Sequence, residues 1–260
     1  MSHELHLHKI GPIKDCRLTL DTFTILTGPQ ANGKSTVAKA VYFFRSVKQD
    51  ILSIMMQGGP KAVTGGSSSA WHTVLKQRMK DKFLQLFGTS WVMPSDMKME
   101  YQYSDKVAIT VSLEEDSNDP TRNYIVIDFS ESIENYLEAL SSHIFANITP
   151  AQKEHEEKKL NELFNDPFEP VFIPAGRNLL TLLSTQLNYI FTSLEDSQLR
   201  NIDYVTKRYT ELILRLKPVF AHGMEGIANH MKNDPTQAKK YERIRPALNI
   251  LMDQAKEIMN

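Results

Sequence analysis

Gly28-Pro29-Gln30-Ala31-Asn32-Gly33-Lys34-Ser35-Thr36 has the residue types and the spacing needed to hold phosphate. The stretch fits G-x-x-x-x-G-K-[ST], the pattern of a phosphate-binding loop. Gly28 and Gly33 let the backbone approach phosphate oxygens that side chains would hold off. Consecutive N–H groups of Pro29–Thr36, proline apart, then point inward, and a helix starting at Lys34 adds the positive end of its dipole. Lys34 is the point charge for the β- and γ-phosphates. The Ser35 hydroxyl is the candidate ligand for Mg²⁺. The chemistry implied is binding of a nucleoside triphosphate, with ATP and Mg²⁺ as cofactors.

Such a loop works only between a strand and a helix. Phe23-Thr24-Ile25-Leu26-Thr27 reads as a short buried strand leading in, and Val37, Val41, Phe44 and Val47 recur at helical spacing behind it. Upstream, Leu5 and Leu7 alternate with polar residues, as do Leu18 and Leu20, and Gly11-Pro12 interrupts between them. Residues 4–27 are therefore expected to form two or three short strands. Gly58-Gly59-Pro60 and the run 65–69 mark a connection, and Trp71, Val74, Phe83 and Phe87 suggest a helix. Met97, Met99, Tyr101 and Tyr103 alternate in one strand, and Val107, Ile109, Val111 and Leu113 in the next. Tyr124–Phe129 supplies a third. Period-two faces predict antiparallel strands with one wet side.

The rest reads as largely helical. Ile133, Leu137, Leu140 and Ile144 form a stripe, and residues 151–165 form a charged helix expected to stand in solvent. Pro170-Val171-Phe172-Ile173-Pro174 reads as a short buried strand, ending in Ala175-Gly176-Arg177. Leu179, Leu183, Leu187 and Ile190 mark a further helix, Val205, Tyr209, Leu212 and Leu216 another, and residues after Pro246 a last one. The expected fold class is α/β: a P-loop NTPase lobe with an antiparallel flank and a helical subdomain. The expected division is 1–130 for the ATP-binding lobe, 131–169 for a helical insertion and 170–260 for a strand plus helical lobe.

Bulk properties set further bounds. The 260-residue chain can bury a large core, and 41% hydrophobic with 23% charged residues is ordinary for a globular protein. A net charge of −1 supplies no overall field toward nucleic acid or membrane, so such contacts would need a local patch. The single cysteine, Cys16, excludes an internal disulfide, suits a reducing compartment and reads as packing. No apolar run approaches the ~20 residues of a membrane span. The expected address is cytoplasmic, with no membrane partner.

The segment "IGPIKDC" followed by "FTILTGPQANGKSTVAKAVYFF", together with "VFIPAGRNLLTLL" at 171–183, resembles the ABC-type ATPases of the SMC, RecN and OLD group, including AAA-family phage-defence ATPases. The resemblance covers residues 4–48 and 170–185; elsewhere it rests on architecture alone. It implies that Gly28, Gly33, Lys34, Ser35 and Thr36 hold nucleotide, while Gln30, Ala31 and Asn32 depart from the commoner Asn-Gly-Ser. It also places Lys14 near the nucleotide, against the alternative of a solvent-facing hairpin lysine. Arg177 would sense nucleotide or partner, or else have a structural role.

The same resemblance calls for a signature segment and for an Asp-Glu pair after four apolar residues, the Glu orienting the attacking water. Neither is found; Leu140-Ser141-Ser142 lacks the glycine and reads as a helix face. The expectation is an N-terminal half of a longer ATPase, unable to hydrolyse ATP efficiently alone, acting in DNA transactions or phage defence. Its partners would be a C-terminal half or a second copy, with a nuclease effector or DNA. Two other readings stay open. Tyr124-Ile125-Val126-Ile127-Asp128 could offer Asp128 as the Mg²⁺-side acid of a complete NTPase or kinase. Alternatively, the chain could be a module that binds ATP without hydrolysing it.

Weaker groupings have plain readings. His3, His6 and His8 have spacings that could make an accidental metal site, and His6 and His8 share a strand face, but no Cys or carboxylate cluster joins them, which favours a solvated edge strand. The methionines read as adaptable filler. Lys76, Arg78, Lys80 and Lys82 read as a solvated helix face before a nucleic-acid patch.

Overall fold

The computed structural model describes residues 2–60, 69–116, 119–141, 148–175 and 203–220. The chain divides into two compact units, Met1–Phe172 and Ile173–Asn260. The first is built on one five-stranded sheet. Its strands are β1 (His3–Ile10), β2 (Ile13–Leu20), β3 (Lys98–Ser104), β4 (Val107–Asp116) and β5 (Asp119–Phe129). They pair antiparallel in the order β2-β1-β3-β4-β5. The N-terminal hairpin and the later meander, separate in sequence, thus share a ladder through β1 and β3.

Alternation decides which face is dry. Leu5, Leu7, Met99, Tyr101, Ile109, Val111, Ile125 and Ile127 are buried on one side. On the other, the register aligns Arg17, His6, Glu100, Thr110 and Asp128 in one row. The wet side expected from the period-two pattern is this row's face.

Helices cover the dry face. They are α1 (Lys34–Arg45), α2 (Val47–Met56), α3 (Ser69–Phe87), α4 (Glu131–Ser141) and α5 (Pro150–Leu163). Phe44 of α1 stacks on Tyr101 with ring centroids 5.3 Å apart, and the Tyr103 hydroxyl donates to the Phe44 carbonyl at 2.6 Å. Phe43 meets Phe83 of α3 edge-on at 6.1 Å. The predicted stripe on α1 differs in detail: Val37, Ala40, Phe43 and Phe44 are its buried residues. Val47 belongs to α2, because the chain breaks at Ser46, whose hydroxyl bonds back to the Phe43 carbonyl. Leu75 and Met79 join Trp71 and Phe83 as the dry side of α3. On α5, a Thr149/Gln152 capping box and Pro150 start the helix, and Leu160 is its buried residue. The other residues of this charged helix are largely exposed, as its composition predicts.

Two expected strands do not form. Residues 21–28 pair with no strand among the described residues, and Phe23 and Ile25 are 80% and 70% exposed. A lone extended segment leaves its N–H and C=O groups without a ladder, so apolar composition alone cannot bury it. Residues 170–174 are likewise outside any ladder, with Val171 and Ile173 exposed. Pro170 and Pro174 remove two of that segment's donors.

The second unit is described at residues 173–175 and over residues 203–220. There α6 (Tyr204–Phe220) forms as its spacing predicts, with Val205 and Thr210 buried. The stripe 179–190, the helix after Pro246 and Ile144 lie outside the described residues.

Candidate phosphate-binding site

The loop at 28–36 has the backbone that its glycines permit. Gly28 has φ 145°, Gly33 has φ 87°, and Ala31 between them has φ 64°. Gly33 caps α1 with no side-chain partner, and its carbonyl accepts from Val37 N at 2.9 Å. The helix therefore begins at Lys34, where the motif requires, and its first turn contains no acid that would oppose an anion. Beside it lies a cleft of about 520 Å³ lined by Pro12, Gly28 and residues 30–36. Pro29 does not line the cleft but contributes its carbonyl.

Lys34 is engaged by its own loop. Its ammonium donates to the Gly28 carbonyl at 2.8 Å and to the Pro29 carbonyl. The loop thereby closes around a cation that lines the cleft. The residues fit the triphosphate and Mg²⁺ that the motif implies: amides at a helix start, one lysine, and the hydroxyls of Ser35 and Thr36 on one cleft. Among the described residues, no group of three or more His, Cys, Asp or Glu could hold a metal by itself.

The other predicted residues fall elsewhere. Lys14 is exposed on β2 and does not line the cleft. Arg177 lies outside the described residues. Asp128 is exposed between buried Ile127 and Phe129, so it occupies the wet face, opposite the face that α1 covers. Three strand spacings, roughly 14 Å, also separate β5 from β1.

The basic run on α3 is consumed by packing. Lys82 is buried and pairs with Asp50 and the Ser46 hydroxyl. Arg78 donates to the Asp50 carbonyl at 3.2 Å, and the Lys76 ammonium lies 5.3 Å from the Phe129 ring centroid. Lys76, Arg78 and Lys82 are thus neither a freely solvated face nor an open nucleic-acid patch.

The N-terminal histidines divide in two. His3 is buried, with its ring 2.9 Å from the Tyr101 hydroxyl and 3.2 Å from the Asn165 carbonyl, and burial holds its pKa low. His6 and His8 both meet Asp15, at 2.9 and 3.1 Å. β1 lies between β2 and β3 and is not an edge strand.

Two features carried no sequence signal. Asp166, 1% exposed, takes two hydrogen bonds from Arg45, at 2.6 and 2.7 Å, and Lys48 donates to its carbonyl. Burial is the largest single influence and pushes the Asp166 carboxyl up, but the Arg45 bonds, the Phe168 N–H and the Arg45 and Lys48 charges together hold the pKa below its ordinary value. The second is the contact of the hairpin tip Gly11-Pro12-Ile13 with the 28–36 loop, which neither the break at Gly11-Pro12 nor the resemblance of this segment foretold. No helix among the described residues is long and apolar enough to cross a membrane. The chain matches no family model, no curated protein and no solved structure.

Proposed function

We propose that residues 28–36 bind the phosphates of ATP together with Mg²⁺. The observation that carries this reading is the meeting of motif and geometry. The glycines of G-x-x-x-x-G-K-S take positive φ, and the last of them delivers a helix start onto an open cleft. Bound phosphate would take the free amides at the start of α1. Lys34 would exchange its loop carbonyls for phosphate oxygens, and Ser35 would orient toward Mg²⁺.

Beyond binding, the reading is the ATP-binding lobe of an ABC/SMC-type ATPase, working in DNA transactions or phage defence. Exposed Phe23 and Ile25 before the loop, and Val171 further on, favour it: these segments have the apolar content of strands and no described ladder. A C-terminal half or a second copy would supply the missing neighbours and the water-orienting acid. ATP would then act as a switch that joins two lobes until hydrolysis parts them. The wet-face placement of Asp128 disfavours a complete NTPase built on that residue. A module that binds without hydrolysis is the outcome if no partner adds turnover.

The test is titration of the 260-residue chain with MgATP, followed by phosphate release, with Lys34→Ala as control. Binding lost in the variant, with little turnover by the chain alone, supports the reading. No binding by the wild-type chain overturns it.

A further inference from the structure

The tip of the β1–β2 hairpin is packed into the phosphate loop. A Cβ built on Gly33 would fall 2.6 Å from Ile13 Cγ1, 3.1 Å from Ile13 Cδ1 and 3.4 Å from Pro12 Cγ. One on Gly11 would lie 3.5 Å from the Thr36 hydroxyl oxygen. The hairpin therefore touches the loop at Gly33 and again three residues into α1. Ile13 is only 8% exposed although it opens a strand at the sheet's edge, and Gly33 is buried beneath it. Pro12, beside them, forms part of the cleft wall.

This contact fixes the one peptide whose direction matters most. Gly33 sits in the left-handed region and α1 starts at the next residue, with no side-chain cap to hold the turn. Ile13 supplies that restraint from outside the loop. Its ladder position opposite Ile10 ties it to the sheet, so the sheet, through one side chain, sets where the amides of residues 34–36 point.

We propose that Ile13 is a positioning residue for the phosphate site, holding Gly33 so that the start of α1 meets the terminal phosphates of a nucleoside triphosphate, with Pro12 as the fixed cleft wall beside it. The proposal rests on the nucleotide-binding reading of the loop. It concerns the phosphates alone, so it applies equally to inorganic tripolyphosphate, which has no base or ribose.

The experiment measures affinity of the full chain for MgATP and for magnesium tripolyphosphate, in the wild type, Ile13→Ala, Ile13→Val and Lys34→Ala, with thermal melts of each. Ile13→Ala is expected to weaken both ligands by about tenfold, a loss of ~1.4 kcal/mol in binding. Ile13→Val, which keeps the β-branch against Gly33, is expected to recover most of the affinity. The ATP-to-tripolyphosphate ratio should stay constant. If Ile13→Ala melts too early to titrate, the expected result is a smaller but parallel loss of both ligands in Ile13→Val at unchanged melting temperature. Wild-type affinity in Ile13→Ala, or in Ile13→Val where Ile13→Ala does not stay folded, while Lys34→Ala has lost it, overturns the positioning role and leaves the nucleotide site standing. Loss of ATP with tripolyphosphate unaffected also overturns it. Failure of the wild type to bind either ligand removes the underlying reading and the positioning role with it.

Discussion

The Lys34 ammonium donates to the Gly28 carbonyl 2.8 Å away, so the first glycine of the motif and its lysine are joined before any ligand enters. A cation held by two loop carbonyls is already in place, and phosphate has only to compete for it. Lys34→Ala should therefore lose most affinity for MgATP. It should leave the fold intact, because no buried apolar group is removed. Titration beside a far-ultraviolet spectrum checks both, and near-wild-type affinity would sink the assignment.

Gly33 combines two constraints. Its φ of 87° is left-handed, and Ile13 occupies the space a Cβ would need. Gly33→Ala should cost about 1–2 kcal/mol for the backbone, and the Ile13 overlap should add roughly 1–3 kcal/mol. Urea unfolding would register it as a lower midpoint.

Ala31 tests the same logic in reverse. At φ 64° it is an alanine in glycine's territory, and it is exposed. Ala31→Gly removes about 1–2 kcal/mol of strain but adds about 0.4–1 kcal/mol of unfolded-state entropy. A melting temperature equal to or slightly above the wild type is expected, whereas Ala31→Val should fall below it. An Ala31→Gly variant that is clearly less stable would show that the loop does not take this conformation.

Removing Arg45 should expose the cost of a buried carboxylate. Arg45→Ala leaves Asp166 without its two strongest donors, and a loss of about 3 kcal/mol is expected. The pH dependence has a definite sign. The Asp166 carboxyl is held below its ordinary value in the fold, so its contribution is present above the unfolded value of about 4 and is lost as pH falls further. Wild-type stability should drop through that acid range, and Arg45→Ala should drop less. Denaturant unfolding from pH 7 to pH 2.5 measures the difference.

Asp128→Asn should leave MgATP affinity and any turnover unchanged. The residue is exposed on the sheet face opposite α1. A collapse of turnover in this variant would revive the complete-NTPase reading.

Sequence and tertiary structure contributed different parts. The glycine-bounded turn at 28–33, the start of α1 at Lys34 and the alternating strands of the meander were legible because each depends on neighbours within a few residues. Left-handed φ needs glycine, helical stripes repeat at 3.6 and strand faces at 2. The five-strand order, the grip of Arg45 on Asp166, the burial of Lys82 and the seat of Ile13 on Gly33 were not legible. Each joins residues far apart in the chain, and no local spacing encodes such a meeting. The segments 23–27 and 170–174 show the boundary between the two. Composition can say that Phe23 and Ile25 suit a buried strand, but only a neighbouring strand can bury them, and among the described residues there is none.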